Sequence, residues 1–172
     1  YFDFSGYVDM AIGSALLLNI RLPINFDSPY SAVNVREFWR KWHITLGSFF
    51  RENIYIPLGG NKRGALIECR NLIFTFGLVG LWHGANWTFV VWGAVHGIAV
   101  VFNLLWRKLN WEMYKFLAWI LTFLFVCMSW VFFKSSNLSI AIEMILNMFN
   151  FSELSSMTWE VFTKSEKLGF SL

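Results

Sequence analysis

Hydrophobic and polar residues fall in blocks along this chain, and the blocks differ in period. The longest apolar stretch runs from Leu72 to Trp106, and a second runs from Phe116 to Phe133 and stops at Lys134. Both read as helices that meet lipid, because about 20 consecutive apolar residues cross a bilayer core. The first stretch divides at His83-Gly84. As a helix, residues 71–82 span only about 18 Å, whereas residues 86–106 suffice to cross alone. A break at membrane depth is therefore expected at His83-Gly84, tolerated only where protein or water covers the open backbone.

Elsewhere the pattern is amphipathic or broken. Val35, Phe38, Trp39, Trp42, Leu46, Phe49 and Phe50 recur on one helical face, while Arg36, Arg40, Lys41 and Arg51 fall off it. This predicts one basic, aromatic-faced helix over residues 35–51, lying in the membrane interface. Ser5 is the expected N-cap of an opening helix whose apolar part, Met10 to Ile20, is too short to cross. Pro23 and Pro29 impose a loop around Asn25-Phe26-Asp27-Ser28. Pro57 and Gly59-Gly60-Asn61 end any helix there in a turn beside Lys62 and Arg63, placed against lipid headgroups. A polar connection covers residues 107–115, a further apolar helix runs from Leu138 to Phe151, and the tail from Ser152 is expected at the surface.

Composition sharpens this into a class. The chain is 56% hydrophobic, 20% aromatic and 15% charged, against about 25% charged in soluble domains. An all-α, polytopic integral membrane protein is expected, with residues 1–172 forming a single membrane domain. The net charge is only +3, but eight basic residues from Arg21 to Arg70 precede the long apolar stretch. That asymmetry puts the basic segment on the cytoplasmic side. Its interleaved aromatics suit a membrane interface and not base stacking, which excludes nucleic acid as a partner. The two cysteines, Cys69 and Cys127, make no disulfide framework. The opening Tyr1-Phe2-Asp3 and the abrupt end suggest a piece of a longer polytopic protein.

The candidate chemistry centres on Gly80-Leu81-Trp82-His83-Gly84-Ala85-Asn86-Trp87. A histidine that deep in apolar sequence is costly without a partner or a task. His83 is the candidate general base, and Asn86 or a tryptophan N–H, Trp82 among them, is the candidate group that orients it or binds an oxyanion. His96-Gly97 lies inside the second crossing segment, where a structural histidine bonded to a neighbouring helix is an equal alternative. His43 sits at the edge of the aromatic face, and taken alone it reads as an interfacial aromatic with a polar tip. Three scattered histidines without acidic or cysteine neighbours do not have metal-ligand spacing.

Taken together and in order, several motifs carry a resemblance. They are Tyr1-Phe2-Asp3-Phe4-Ser5-Gly6-Tyr7, Arg36-Glu37-Phe38-Trp39-Arg40-Lys41-Trp42-His43, Tyr55-Ile56-Pro57-Leu58-Gly59-Gly60-Asn61, the His83 segment, Trp92-Gly93-Ala94-Val95-His96-Gly97 and Ser129-Trp130-Val131-Phe132-Phe133. Over roughly residues 1–150 the chain resembles the membrane-bound O-acyltransferase family. Its bacterial branch of alginate O-acetyltransferases and teichoic-acid D-alanyl transferases is the most similar. The resemblance implies a fold of short helices around a tunnel, His83 as catalytic histidine, His43 as the second functional one, and a further histidine at His96. It implies acetyl transfer to a hydroxyl of an exported polysaccharide such as alginate, from acetyl-coenzyme A or an acyl-carrier thioester, with no bound cofactor. A cytoplasmic donor protein and an extracytoplasmic acyltransferase partner are implied candidates, in a bacterial inner membrane. Two other readings fit broken helices and intramembrane histidines: a glycolipid or polysaccharide transporter, and a non-catalytic scaffold for a separate acyltransferase.

Overall fold

A computed structural model describes residues 1–150, and the proposed surface tail from Ser152 lies outside the described residues. The described part is all-α. It comprises α1 (Phe2–Leu17), α2 (Val35–Lys41), α3 (Ile44–Phe50), α4 (Ala65–His83), α5 (Trp87–Lys108), α6 (Lys115–Lys134) and α7 (Leu138–Met148). A short 3-10 turn, Pro29–Ser31, precedes α2, and one π-helical stretch, Arg51–Tyr55, follows α3. Helices α4, α5 and α6, at 19, 22 and 20 residues, are long and apolar enough to cross a membrane.

The antiparallel pair α4–α5 is the spine. Gly80 and Gly93 let the two backbones touch: a Cβ on Gly80 would collide with the Phe89 carbonyl, and one on Gly93 with the Phe76 carbonyl. Small residues at such a crossing substitute van der Waals contact for the hydrophobic drive that lipid does not supply. Lys108 at the end of α5 lies 3.9 Å from Glu68 in the first turn of α4. This is where a polar end of each crossing helix should sit. Helix α6 then packs on α5, and α7 turns back onto α6.

Three sequence expectations are corrected here. The helix breaks at His83-Gly84 as expected, but the segment before the break is long enough to cross, because α4 begins at Ala65 and not at Asn71. Glu68, Arg70 and Asn71 are compatible with its first turns because their polar groups find partners there. Ser5 is not a cap; α1 starts at Phe2 with Tyr1 as N-cap, and the Ser5 hydroxyl turns back to the Phe2 carbonyl. The single interfacial helix over residues 35–51 is two helices meeting at a sharp corner. His43 there has φ 44°, a left-handed conformation that stops α2 and starts α3.

This corner folds α2 and α3 into a hairpin that packs on α5. Arg36 on α2 and Tyr55 beyond α3 line a common cavity with Glu68 at the start of α4, whereas His43 at the tip touches Trp82 in the last turn of α4. Phe38, only 1% exposed, packs with Val126 of α6. Of the same aromatic face, Phe50 clusters with Val79 of α4 and Trp92 of α5, while Phe49 stays exposed.

We expect Gly93→Ala to destabilise the α4–α5 crossing by about 1–3 kcal/mol, since the obstructing atoms are backbone and cannot swing aside. A thermal melt of the purified protein in detergent checks this. An unchanged melting temperature would mean that the helices separate freely.

Candidate functional site

The site is built from the hairpin tip and the end of α4. At the tip, the turn between α2 and α3 frees backbone groups deep in the bundle, where each needs a partner. The loop between the two prolines supplies several. The Asn25 side-chain oxygen accepts from both the Thr45 hydroxyl (2.6 Å) and the Thr45 amide (3.2 Å), and the Asn25 carbonyl accepts from Ile44 N–H at 3.0 Å. Asp27 N–H donates to the Lys41 carbonyl at 3.0 Å. The loop is pinned in turn to α6, where Trp119 Nε1 donates to the Tyr30 carbonyl (2.8 Å) and Trp130 Nε1 to the Tyr30 hydroxyl (3.1 Å). The proline loop, to which the sequence alone assigned no chemistry, thus holds the corner on which His43 stands.

The His43 ring is part-buried among Phe4 (centroids 5.0 Å apart), Phe26 (6.3 Å) and Trp82 (6.4 Å). Its Nδ1 is buried without a hydrogen-bond partner. Burial lowers the His43 pKa below the ordinary histidine value, so the ring stays neutral at pH 7.

His83 is the last residue of α4 and is part-buried in an aromatic box. Its ring meets Trp82 at 4.9 Å, Phe133 at 5.0 Å, Trp92 at 5.3 Å and Phe89 at 6.4 Å. The fold therefore brings His43 and His83, forty residues apart in the chain, to one shared indole, Trp82. Trp82 is 57% exposed. Trp92 is 1% exposed, and its indole N–H has no partner in the structure. An orphaned buried donor beside His83 is a group that a substrate oxygen can satisfy.

Asn86 is placed differently. Its oxygen caps α5 by accepting from Thr88 N–H (3.1 Å), and its amide donates to the Ser136 carbonyl at 3.0 Å. Both ends of the side chain are engaged in setting where α5 begins and where the α6–α7 turn lies, and neither bond goes to His83. His96, fully buried, stands nine residues farther along α5 than Trp87 and bonds to Trp39 and Ser129.

Between the hairpin and α4 lies a cavity of about 340 Å³. Arg36, Arg40, Arg51, Tyr55 and Glu68 line it toward the start of α4; Thr75, Phe76 and Val79 line it farther along that helix. Ile44, beside His43, and Val79, one turn before His83, extend it toward the two histidines. The Thr75 hydroxyl is buried and unpartnered on this wall. The two ion pairs among the described residues, Lys41–Glu37 (3.0 Å) and Lys108–Glu68 (3.9 Å), involve none of the three arginines, although the Glu68 carboxylate acts on Arg36 from the same wall. Clustered positive charge of this kind favours an anion at the cavity mouth.

One further residue was not singled out by the sequence. Asn71, with no exposed surface, donates to the Leu58 and Gly60 carbonyls (both 3.2 Å) and accepts from Arg70 at 3.0 Å. It fastens the Pro57–Gly60 turn to α4. Its signal in the sequence was an amide at the edge of an apolar stretch, where it reads as the first residue of the helix.

A sequence model of the membrane-bound O-acyltransferase family matches residues 1–142. The chain is 52% identical over 159 residues to the peptidoglycan O-acetyltransferase of Helicobacter pylori, covering 90% of this chain and 30% of that protein. It is 47% identical to a probable alginate O-acetylase of Pseudomonas fluorescens, covering 90% and 32%. Against the teichoic acid D-alanyltransferase of Streptococcus thermophilus, identity is 34%, covering 63% and 28%. The chain spans about a third of the length of these curated relatives.

The lowered His43 pKa has a consequence for stability. The unfolded chain takes up a proton at His43 as pH falls through about 6.5, while the folded state resists it. This contribution to stability is therefore complete above that pH and is lost as the medium is acidified below it. His43→Asn, which tolerates the left-handed backbone, should flatten the fall of melting temperature between pH 7 and pH 5.5. Equal slopes for both proteins would show that His43 protonates as easily folded as unfolded.

Proposed function

The chain belongs to the membrane-bound O-acyltransferase family, and we propose that its protein moves an acetyl group from a thioester donor to a hydroxyl of an exported polysaccharide. The observation that carries this reading is the pairing of His43 and His83 around Trp82, close to a cavity whose other end carries three arginines. A thioester borne on coenzyme A or on a carrier protein's pantetheine arm has phosphate at one end and the reactive carbonyl at the other. The cavity carries the arginines that would take the phosphate end, and His83 lies outside its lining, past the Trp39 and Trp92 indoles.

In this reading the basic end faces the cytoplasm and the acceptor glycan reaches His83 from the opposite side of the membrane. Neutral His83 takes the proton of the acceptor hydroxyl as its oxygen attacks the thioester carbonyl. The tetrahedral oxyanion needs donors, and the unpartnered Trp92 N–H is the nearest candidate. Collapse breaks the carbon–sulfur bond, and the imidazolium returns its proton to the departing thiolate. The products are an O-acetyl ester and a free thiol. His43, neutral and with an unpartnered Nδ1, is placed to hold the donor or acceptor against His83. Asn86 and Trp82 support the same geometry from behind, one by seating α5 and the other as the shared wall.

Acetyl is favoured over alanyl because the relatives named for acetyl transfer are 44–52% identical, and those named for D-alanyl transfer 28–34%. The acceptor class is a cell-surface glycan, peptidoglycan or an alginate-like polymer, in a bacterial inner membrane. The exposed turn at Lys62-Arg63 suits a carrier protein with an acidic surface.

Replacing His83 by Ala in the full-length protein should lower ester-linked acetate on the exported glycan by about 10²-fold or more. The comparison is made in cells lacking the native copy, with equal protein in the membrane. Undiminished acetate would remove His83 from the chemistry and return a transporter or scaffold to the front. Arg36→Glu with Arg40→Glu should raise the donor's KM with little effect on kcat. Lys62→Glu with Arg63→Glu should weaken acetylation only when the donor is carrier-bound; free acetyl-coenzyme A as donor separates the two cases.

A further inference from the structure

His96 is bonded in a way that leaves only one protonation state. Trp39 Nε1, which can only donate, lies 3.1 Å from His96 Nδ1, so Nδ1 carries no proton. The ring proton is then on Nε2, 2.9 Å from the Ser129 hydroxyl oxygen. Ser129 passes its own proton to the Val126 carbonyl at 2.7 Å. Three donors meet three acceptors, and nothing is left over. A second proton on His96 would set two N–H groups against each other at Trp39. His96 is therefore closed to proton transfer, although it lies in the same buried stripe of α5 as Thr88 and Trp92.

What the network does is mechanical. It ties α2 (Trp39), α5 (His96) and α6 (Ser129) at one point. Trp39 lines the arginine-mouthed cavity and stands edge-on to Trp92 at 5.7 Å and to Phe76 at 5.0 Å. Trp92 in turn meets both His96, at 4.9 Å, and His83, at 5.3 Å. The wall between the cavity and His83 is thus two indoles, and His96 holds both.

We propose that His96 is a positioning residue, a neutral imidazole clamp that fixes the Trp39–Trp92 wall and so sets where His83 and the donor carbonyl meet. This inference rests on the reading of His83 as the base. A displacement of about 1 Å between reacting groups can cost about 10²-fold in rate, so loosening the wall should appear in kcat more than in donor KM.

The test uses the full-length protein in membranes, with acetyl-coenzyme A as probe donor and a glycan oligosaccharide as acceptor, following thiol release. His96→Ala should lower kcat by about tenfold or more, with KM for acetyl-coenzyme A changed by less than about threefold. His96→Gln should restore kcat to within about threefold, since its amide oxygen accepts from Trp39 while its NH₂ donates to Ser129. The pH–rate profile of His96→Gln should overlay that of the wild type. Trp39→Phe should mimic His96→Ala, and the double variant should be no worse than the poorer single one.

A Gln variant as inactive as the Ala variant, or one lacking a limb of the pH profile, would overturn the clamp and make His96 a proton carrier. Additive losses in the double variant would overturn the link through Trp39. An unchanged kcat in His96→Ala, with only a lowered melting temperature, would reduce the residue to packing. If His96→Ala does not accumulate in the membrane, Trp39→Phe and His96→Gln decide the matter alone. Loss with the first and retention with the second support the clamp, and any other pairing overturns it. A wild type without thiol release would instead sink the acyltransferase reading on which the clamp depends.

Discussion

Every buried backbone amide and carbonyl needs a partner, and in a lipid-facing protein that demand is hardest to meet where a helix stops inside the bundle. The corner at Trp42-His43 is such a place. Its cost is offset by Asn25, Thr45, Asp27 and Lys41, which close the exposed groups with bonds from a loop held by two indoles of α6. Without those bonds α2–α3 would relax toward the continuous amphipathic helix its periodicity describes. His43 would then leave Trp82, and the cavity between hairpin and α4 would lose a wall.

The same economy of polar groups runs through the rest of the core. Asn71 closes two loop carbonyls, Asn86 closes the start of α5, and His96 closes the gap between three helices. Each bond occupies a side chain that would otherwise be an unsatisfied group in a nearly dry interior. Against that background the unpartnered groups stand out. Two of them, the Thr88 hydroxyl and the Asn103 side-chain oxygen, do not line the cavity. The other three among the described residues, His43 Nδ1, Trp92 Nε1 and the Thr75 hydroxyl, border the cavity or the histidine pair. They are the atoms that a bound donor or acceptor would complete.

Charge and shape divide the labour between the two ends of the site. In the proposed reaction, arginines at one end of the cavity attract an anionic donor through long-range attraction, which tolerates imprecise geometry. The histidine end is aromatic and part-buried, and there the chemistry depends on distances of a few tenths of an ångström. The basic end is built from flexible side chains, Arg36 and Arg40 of α2 and Arg51 of the π-helical stretch, and the histidine end from packed indoles. Glycines sit at the α4–α5 crossing, where the two crossing helices fix His83 relative to Trp92.

Much of this was legible in the sequence. Apolar block length determined that two helices, over residues 86–106 and 116–133, can cross a membrane, because span follows directly from residue count. The third, α4, reads as too short because its first turns are polar. The ordered motifs around His43, His83 and His96 determined the family, and they supplied the histidines of the proposed site. What the sequence misjudged follows from interactions that are not local. A 3.6-residue period records that one face of residues 35–51 is buried, but not whether lipid or protein buries it, nor that one residue will turn left-handed. Glu68 reads as lying outside α4 and Asn71 as its first residue, because their partners, Lys108 and the Leu58 and Gly60 carbonyls, come from other elements. Only the tertiary structure decided that His43 and His83 share an indole, that Asn86 is a cap, and that His96 is fully bonded. Side-chain partners forty or more residues apart are chosen by packing, and packing is not written in any one segment.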